Sequence, residues 1–140
     1  MTNSESKAKP NSTHTSLLQE AFAIAAGGAL GATLRYAIVL GTQSANQHAA
    51  WATAGANLVG ALLLGMVVSR VDSARAHPLS RPFLVVGVFG SFTTFSALAF
   101  DNRTLAFQQG EIVALLHIAG SIIAGLLAFA AGSAIARGSR

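Results

Sequence analysis

The densest group of side chains that could do chemistry lies in the third of four apolar segments, at Gly90–Ser96 (GSFTTFS). Glycine and hydroxyl-bearing residues weaken a helix at such a point. Non-helical backbone at membrane depth is tolerated only where it lines a cavity or is buried in protein. Unwound carbonyl groups suit a hard cation such as Na⁺, whereas hydroxyl donors and ring edges suit an anion. We interpret this segment as an ion site, and a bend filled by serine and threonine back-bonding stays open as the alternative.

A second polar group, Asn57, lies within the second apolar segment. Its amide carries two donors and one acceptor near the middle of the membrane. A hydrogen bond between helices, worth about 0.6 kcal/mol on average, is one interpretation. The glycines at positions 55 and 60 would also let another helix or an ion path come close. The residues alone leave both interpretations open.

A charge, Arg35, lies about two thirds of the way along the first segment. A charge at the centre of a membrane helix costs roughly 2.5 to 3.5 kcal/mol on insertion scales, so Arg35 needs a partner or a route to the interface. It either extends towards the Gly41 end or provides a fixed positive charge that draws an anion into a vestibule. Asp101, at the end of the third segment, is its possible counter-ion.

In the last segment His117 and Ser121 lie four residues apart, hence on one helix face, and both offer donors. A metal site through His117 is not predicted, because no second histidine or carboxylate lies at ligand spacing. Hydrogen bonding in a pore wall or an interface is the preferred role. Ser96 lacks a base and an orienting group, so an enzyme with a serine nucleophile is not predicted either.

The composition sets the environment of these groups. Of 140 residues, 52% are hydrophobic and 10% charged, with a mean hydropathy of +0.55. Ordinary soluble domains have about 25% charged residues. The net charge of +4 does not indicate nucleic-acid binding, because the basic residues stand singly between apolar blocks. The absence of cysteine excludes disulfides and thiolate chemistry.

Four apolar stretches separated by short polar ones predict an all-α protein with four transmembrane helices in a lipid bilayer, the third broken near its middle. We place these helices at about 17–40, 51–71, 83–107 and 112–136. They form one domain over 17–137, preceded by a disordered polar tail over 1–16. A cleaved signal peptide is not favoured, because Gln19 and Glu20 interrupt its apolar core.

Small residues at four-residue spacing predict close helix packing. They are Gly27 with Gly31, Ser121 with Gly125, and Ala124, Ala128 and Gly132 in series.

The distribution of basic residues predicts the topology. With four crossings, both termini and the loop before the third helix share one side. That side holds Lys7, Lys9, Arg70, Arg75, Arg81, Arg137 and Arg140. The other side has Arg103, so the positive-inside rule puts both termini in the cytoplasm of a multi-pass protein of the cell (inner or plasma) membrane.

Three motifs occur in order, and a looser spacing follows them. They are GGALGATLRY at 27–36, NLVGALLLG at 57–65, GSFTTFS at 90–96, and then Ser121, Gly125 and Gly132. On these motifs the chain resembles the fluoride channels of the CrcB/Fluc family over all four helices. The resemblance implies passive export of cytoplasmic fluoride by an antiparallel dimer, with two fluoride paths along the interface and a structural Na⁺ at its centre.

The resemblance also implies roles for residues along the fluoride path. Asn57 becomes a pore-lining donor, and Phe95 a ring whose positive edge faces the dehydrating anion. Ser96 and Ser121 belong to the hydroxyl track along which fluoride moves. Thr94, within the same motif, receives no assigned role.

The resemblance further implies that main-chain carbonyls of Gly90 and Thr93 from each subunit hold the structural Na⁺. Arg35 matches the family arginine, for which a vestibule role is expected. Asp101 matches an acidic position that often follows the third-helix motif.

The chain departs from the family pattern in two places. Where the family usually continues Thr-Thr-Phe-Ser-Thr-Phe, this chain has Ala97 and Leu98 after Ser96, so a track hydroxyl and the second pore phenylalanine are missing. His117 stands where a tyrosine is frequent. Since leucine has no quadrupole edge, we expect the path that relies on Leu98 to conduct poorly.

The charge bias and Leu98 leave the assembly open between a homodimer and a heterodimer with an oppositely oriented paralogue. In the heterodimer this chain is a partly conducting or non-conducting subunit. A distant alternative is a small proton-coupled exporter of organic cations. Such an exporter needs a carboxylate inside a helix, and the only acid of the first helix is Glu20, at its start.

Overall fold

The computed structural model describes residues 16–44, 49–71 and 76–138. Within these ranges the chain is helical and contains no strand. The helices are α1 (Leu17–Ser44), α2 (Ala49–Val71), α3 (a π-helix over Arg81–Phe89 and one α-helical turn over Gly90–Phe92), α4 (Phe95–Gln109) and α5 (Glu111–Gly138). The predicted tail lies outside the described residues except for Ser16, as do Lys7, Lys9, Arg75 and Arg140.

Four spans are long and apolar enough to cross a membrane, which confirms the predicted all-α, multi-pass architecture. They are Leu17–Thr42, Ala50–Val71, Arg81–Gln109 and Glu111–Gly138. The first helix runs to Ser44 instead of ending near Leu40. The Thr42 hydroxyl supports this extra turn by donating to the carbonyls of Ile38 and Val39.

Glycines set how closely the helices pack, with α1 along α3 and α2 along α5. A Cβ added at Gly27 or Gly31 would collide with the backbone carbonyls of Phe83 or Val88 in α3, and one at Gly132 with that of Leu62 in α2. A Cβ at Gly125 meets nothing within 4 Å among the described residues. Three of the predicted stripe glycines thus make helix contacts within one chain, and Gly125 faces outwards.

The third span contains two residues with extended backbone, here called the break. Thr93 (φ −86°, ψ 146°) and Thr94 (φ −150°, ψ 124°) are extended, between the end of α3 and the start of α4. Thr94 caps α4, since its Oγ1 accepts the Ala97 N–H at 3.3 Å. The segment singled out from the sequence therefore contains backbone groups that no helical hydrogen bond satisfies.

The turn between α4 and α5 is tight. Gly110 has φ 97°, a conformation that L side chains rarely adopt, and its N–H donates to the Ala106 carbonyl at 3.0 Å. The resulting hairpin brings Asn102 of α4 beside His117 of α5. Most large apolar side chains on the outer helix faces are exposed, which suits a surface of lipid or of another subunit.

Candidate ion site

Asn57 of α2 is joined to the extended residue Thr94 by two hydrogen bonds. Its Nδ2–H donates to the Thr94 carbonyl at 2.9 Å, and its Oδ1 accepts the Thr94 N–H at 2.9 Å. The amide thus satisfies the Thr94 N–H outside the helices and adds a donor to the carbonyl of this N-cap residue. Of the two interpretations left open for Asn57, a hydrogen bond between helical elements is the one present. Asn57 also lines a cavity, so its second Nδ2 hydrogen remains for another acceptor.

The same bonds affect the carbonyls of Gly90 and Thr93. In a continuous helix the N–H groups of Thr94 and Ala97 would close i to i+4 bonds on these carbonyls. Here the Thr94 N–H goes to Asn57, and the Ala97 N–H goes to the Thr94 hydroxyl. The break therefore diverts both helical donors from the two carbonyls that the family resemblance assigned to Na⁺.

Hydroxyl and ring groups continue outward from the break. The oxygens Thr94 Oγ1 and Ser96 Oγ are 3.1 Å apart and share a hydrogen. Ser96 is exposed, and Phe95 is 66% exposed. Phe95 and Ser96 thus lie on the outer surface of the single chain, whereas Leu98 is only 4% exposed and packs in its interior.

A cavity of about 340 Å³, here called the arginine cavity, lies between α1, α2 and α4. Its polar lining consists of Arg35, Thr42, Thr53, Asn57, Thr94 and Asp101, and its aromatic lining is Phe100. The Arg35 Nε is buried and has no hydrogen-bond partner among the described residues. Arg35 thus lines this cavity with a side-chain atom whose hydrogen bond is missing among the described residues.

Asp101, the possible counter-ion of Arg35, forms no ion pair with it in the part of the chain that the structure describes. Asp101 Oδ2 instead accepts the Thr53 hydroxyl at 2.5 Å. Sequence analysis missed Thr53, although Thr53 and Asn57 lie four residues apart and thus on one face of α2.

A second cavity, of about 560 Å³ and here called the histidine cavity, lies between α2 and α5. It is lined by Trp51, Leu58, His117 and Ser121 among others. The rings of Trp51 and His117 form an edge-to-face pair with centroids 4.9 Å apart. Ser121 and His117 share this wall, as predicted from their spacing, and the Ser121 hydroxyl donates to the His117 carbonyl at 2.7 Å.

Six of the candidate residues line the two cavities. Arg35, Asn57, Thr94 and Asp101 line the arginine cavity. His117 and Ser121 line the histidine cavity, away from Phe95 and Ser96. Trp51 and Asn102, which contact His117, carry no sequence signal because their meeting depends on the packing of three helical elements.

Comparison with known proteins gives one family and many similar chains. The family model described as "CrcB-like protein, Camphor Resistance (CrcB)" matches residues 22–133. A Thermobifida fusca protein named fluoride-specific ion channel FluC 2 is 44% identical over 114 residues, which cover 79% of this chain and 83% of that protein. A Paracoccus denitrificans protein named fluoride-specific ion channel FluC is 36% identical over 116 residues, 82% of this chain and 92% of that protein. A Nocardia farcinica protein named fluoride-specific ion channel FluC 2 is 39% identical over 116 residues, 82% and 83% of the two chains.

Proposed function

The chain belongs to the CrcB-like family, and we propose that it is a fluoride-specific ion channel, not an enzyme, that exports cytoplasmic fluoride passively. Its similarity to proteins named as fluoride-specific channels supports this function. The observation that carries it is the Asn57–Thr94 pair, which stabilises a break inside a membrane span and leaves an amide hydrogen at a cavity. Fluoride enters cells as the neutral weak acid and ionises inside, so an anion path alone lets it leave.

The anion donors that we assign are Asn57, through its second Nδ2 hydrogen, and the hydroxyl of Ser96. Phe95 turns the positive edge of its ring to the anion. Phe95 and Ser96 are exposed on the single chain, so a path through them needs a second wall. This supports an antiparallel dimer in which Ser121 and the histidine cavity of one subunit face the third span of the other.

A structural Na⁺ at the dimer centre fits the donors that the chain offers. Carbonyl oxygens are ligands that Na⁺ accepts. The helical donors of the Gly90 and Thr93 carbonyls bond elsewhere, which leaves these oxygens able to hold a cation. A bound Na⁺ would supply fixed positive charge at the junction of two breaks, without being transported.

Arg35 gives the arginine cavity the charge of an anion vestibule. Its guanidinium lines the cavity, and the carboxylate of Asp101 is held by Thr53 on α2. A fixed positive charge in a low-dielectric cleft raises the local concentration of anions. The excess of basic residues beside the termini supports cytoplasmic termini and thus the orientation of this cavity.

The dimer is either a homodimer or a heterodimer with an oppositely oriented paralogue. The one-sided arginines favour the heterodimer, and relatives named FluC 1 and FluC 2 suit such pairs. Ala97 and Leu98 then make this chain a subunit in which one of the two paths conducts poorly. Equal fluoride efflux from this chain alone and from a co-expressed pair would contradict the heterodimer.

The direct test is efflux from liposomes that contain the purified protein, followed with a fluoride electrode. We expect fluoride efflux driven by its own gradient, no matching chloride efflux, and slower efflux when Na⁺ is replaced by a larger cation. Liposomes without protein provide the background. Absence of fluoride efflux from this chain and from the pair would contradict the proposed function.

A further inference from the structure

His117 is the one ionisable side chain of the described residues that is almost wholly buried, with 5% of its surface exposed. Three helical elements surround it. Trp51 of α2 packs against the ring, Asn102 of α4 approaches Nδ1, and Ser121 of α5 bonds to its carbonyl. Its ring is therefore held in one orientation at the wall of the histidine cavity.

The hydrogen bonds of the ring are incomplete. Nδ1 lies 3.2 Å from Asn102 Oδ1, whereas Nε2 is buried and has no hydrogen-bond partner among the described residues. A neutral imidazole has one donor and one acceptor nitrogen. The Nδ1 proton suits the Asn102 oxygen, which leaves the lone pair of Nε2 unsatisfied. Buried polar atoms of this kind are rare and require an explanation.

A proton together with an anion supplies one. The doubly protonated ring still donates from Nδ1 to Asn102, and Nε2 becomes a donor whose acceptor would be the anion. The adjacent Trp51 ring, 4.9 Å from the imidazole, can stabilise a cation through its π-system. Histidine is the side chain whose charge ordinarily changes between pH 5 and 8.

No other charged side chain of the described residues on α2, α4 or α5 lies at the wall of the histidine cavity. Among the described residues, α2 has only Arg70, at its far end. On α4, Asp101 accepts from Thr53, and Arg103 lies 5.7 Å from the Phe107 ring. The remaining ionisable groups of α5 are Glu111 at its exposed start and Arg137 in its last turn. None of these residues lines the histidine cavity.

We infer that His117 is a proton switch for the fluoride path, because its charged form places a positive charge on the wall that it shares with Ser121. In the neutral state this wall attracts an anion weakly, since the Ser121 hydrogen is already donated to the His117 carbonyl. Protonation makes the wall attractive, so fluoride passage accelerates as the pH falls. This inference rests on the proposed function as a fluoride channel.

The first test is fluoride efflux from liposomes between pH 8 and pH 6, with the rate of protein-free liposomes subtracted at each pH. The wild-type rate should rise about fivefold or more, the lower range of coupling between two binding events. His117→Gln and His117→Tyr should lose this dependence. His77→Gln removes a histidine exposed outside the spans and should keep it. A flat wild-type profile, or a wild-type slope in folded His117 variants, would overturn the inference.

The second test does not measure transport. The chain has a single tryptophan, Trp51, so its emission reports on this ring pair alone. A charged imidazole quenches indole emission on contact, so emission should fall with pH in the wild type and not in His117→Gln. By reciprocity, fluoride should move this transition, because a ligand that responds to the proton must also affect its binding. A transition that fluoride leaves in place would overturn the switch.

The two tests separate the failures. Absence of efflux at every pH contradicts the proposed function. Efflux that is independent of pH contradicts only the role of His117.

Discussion

The two polar centres of the chain differ in how their hydrogen bonds are completed. At the break, each backbone group of Thr94 has a partner in the side chain of Asn57. At the histidine cavity, Nε2 of His117 has none among the described residues. The first centre is complete within one chain, and we expect its loss to affect folding and conduction together. The second is incomplete, and we expect its loss to change how conduction responds to pH.

The largest effect should follow from Asn57→Ala, which leaves the Thr94 N–H without a partner and removes one donor from the Thr94 carbonyl. Each buried group left without a partner costs about 1–3 kcal/mol. We expect fluoride efflux to fall about 100-fold or more, with a lower melting temperature of the purified protein.

Gln108→Ala is the matched control, because it removes an exposed amide from α4. Its efflux and melting temperature should stay near the wild-type values. Efflux within threefold of wild type from a folded Asn57→Ala protein would show that the break takes no part in conduction. It would also contradict the proposed difference between the two centres.

A smaller effect, on stability, is expected from Gly132→Ala, because the new Cβ would collide with the Leu62 carbonyl of α2. Overpacking of this kind typically costs about 1–3 kcal/mol. Gly125→Ala is the control, since a Cβ there meets nothing within 4 Å among the described residues. Thermal unfolding in detergent measures both. A larger loss of melting temperature in Gly125→Ala than in Gly132→Ala would contradict this order. It would mean that the outward face around Gly125 packs against a second subunit more tightly than α2 packs against α5.

Arg35→Gln should lower efflux about tenfold at low ionic strength, since it removes the positive charge of the arginine cavity. Salt screens such attraction, so the difference should narrow in high salt. Arg103→Gln, which removes an exposed arginine on α4, should show neither effect. Efflux assays in two salt concentrations measure this, and a salt-independent loss in Arg35→Gln would assign the arginine a structural role instead.

The difference between the two centres also shows which features of the structure could be predicted from the sequence. Hydropathy and segment length predicted the four spans, because backbone groups in lipid must be satisfied within a helix. The glycine and hydroxyl cluster predicted where polar backbone would lie, and the structure extends the chain at Thr93 and Thr94 within it. These are local properties, readable within one segment.

Partners across helices were harder to predict. Asp101 was expected only as a possible counter-ion of Arg35 on the same side, and the structure bonds it to Thr53. The contacts of His117 with Trp51 and Asn102 depend on how α2, α4 and α5 pack against each other. This packing cannot be predicted from any one segment of the sequence. The roles assigned to Phe95, Ser96 and Ser121 from the resemblance stay predictions, since they require a second subunit.

The smallest effect is expected from Ala97→Thr, which restores the hydroxyl missing from the motif. Ala97 lines the arginine cavity beside Asn57 and Thr94, so an added hydroxyl would join existing donors there. One neutral hydrogen bond contributes a net ~0.5–1.5 kcal/mol, hence an increase in efflux of about twofold to fivefold. Ala99→Thr adds the same group to an exposed position of α4 and should leave efflux unchanged. An increase in Ala99→Thr equal to that in Ala97→Thr would show that the gain does not depend on a position beside Asn57 and Thr94.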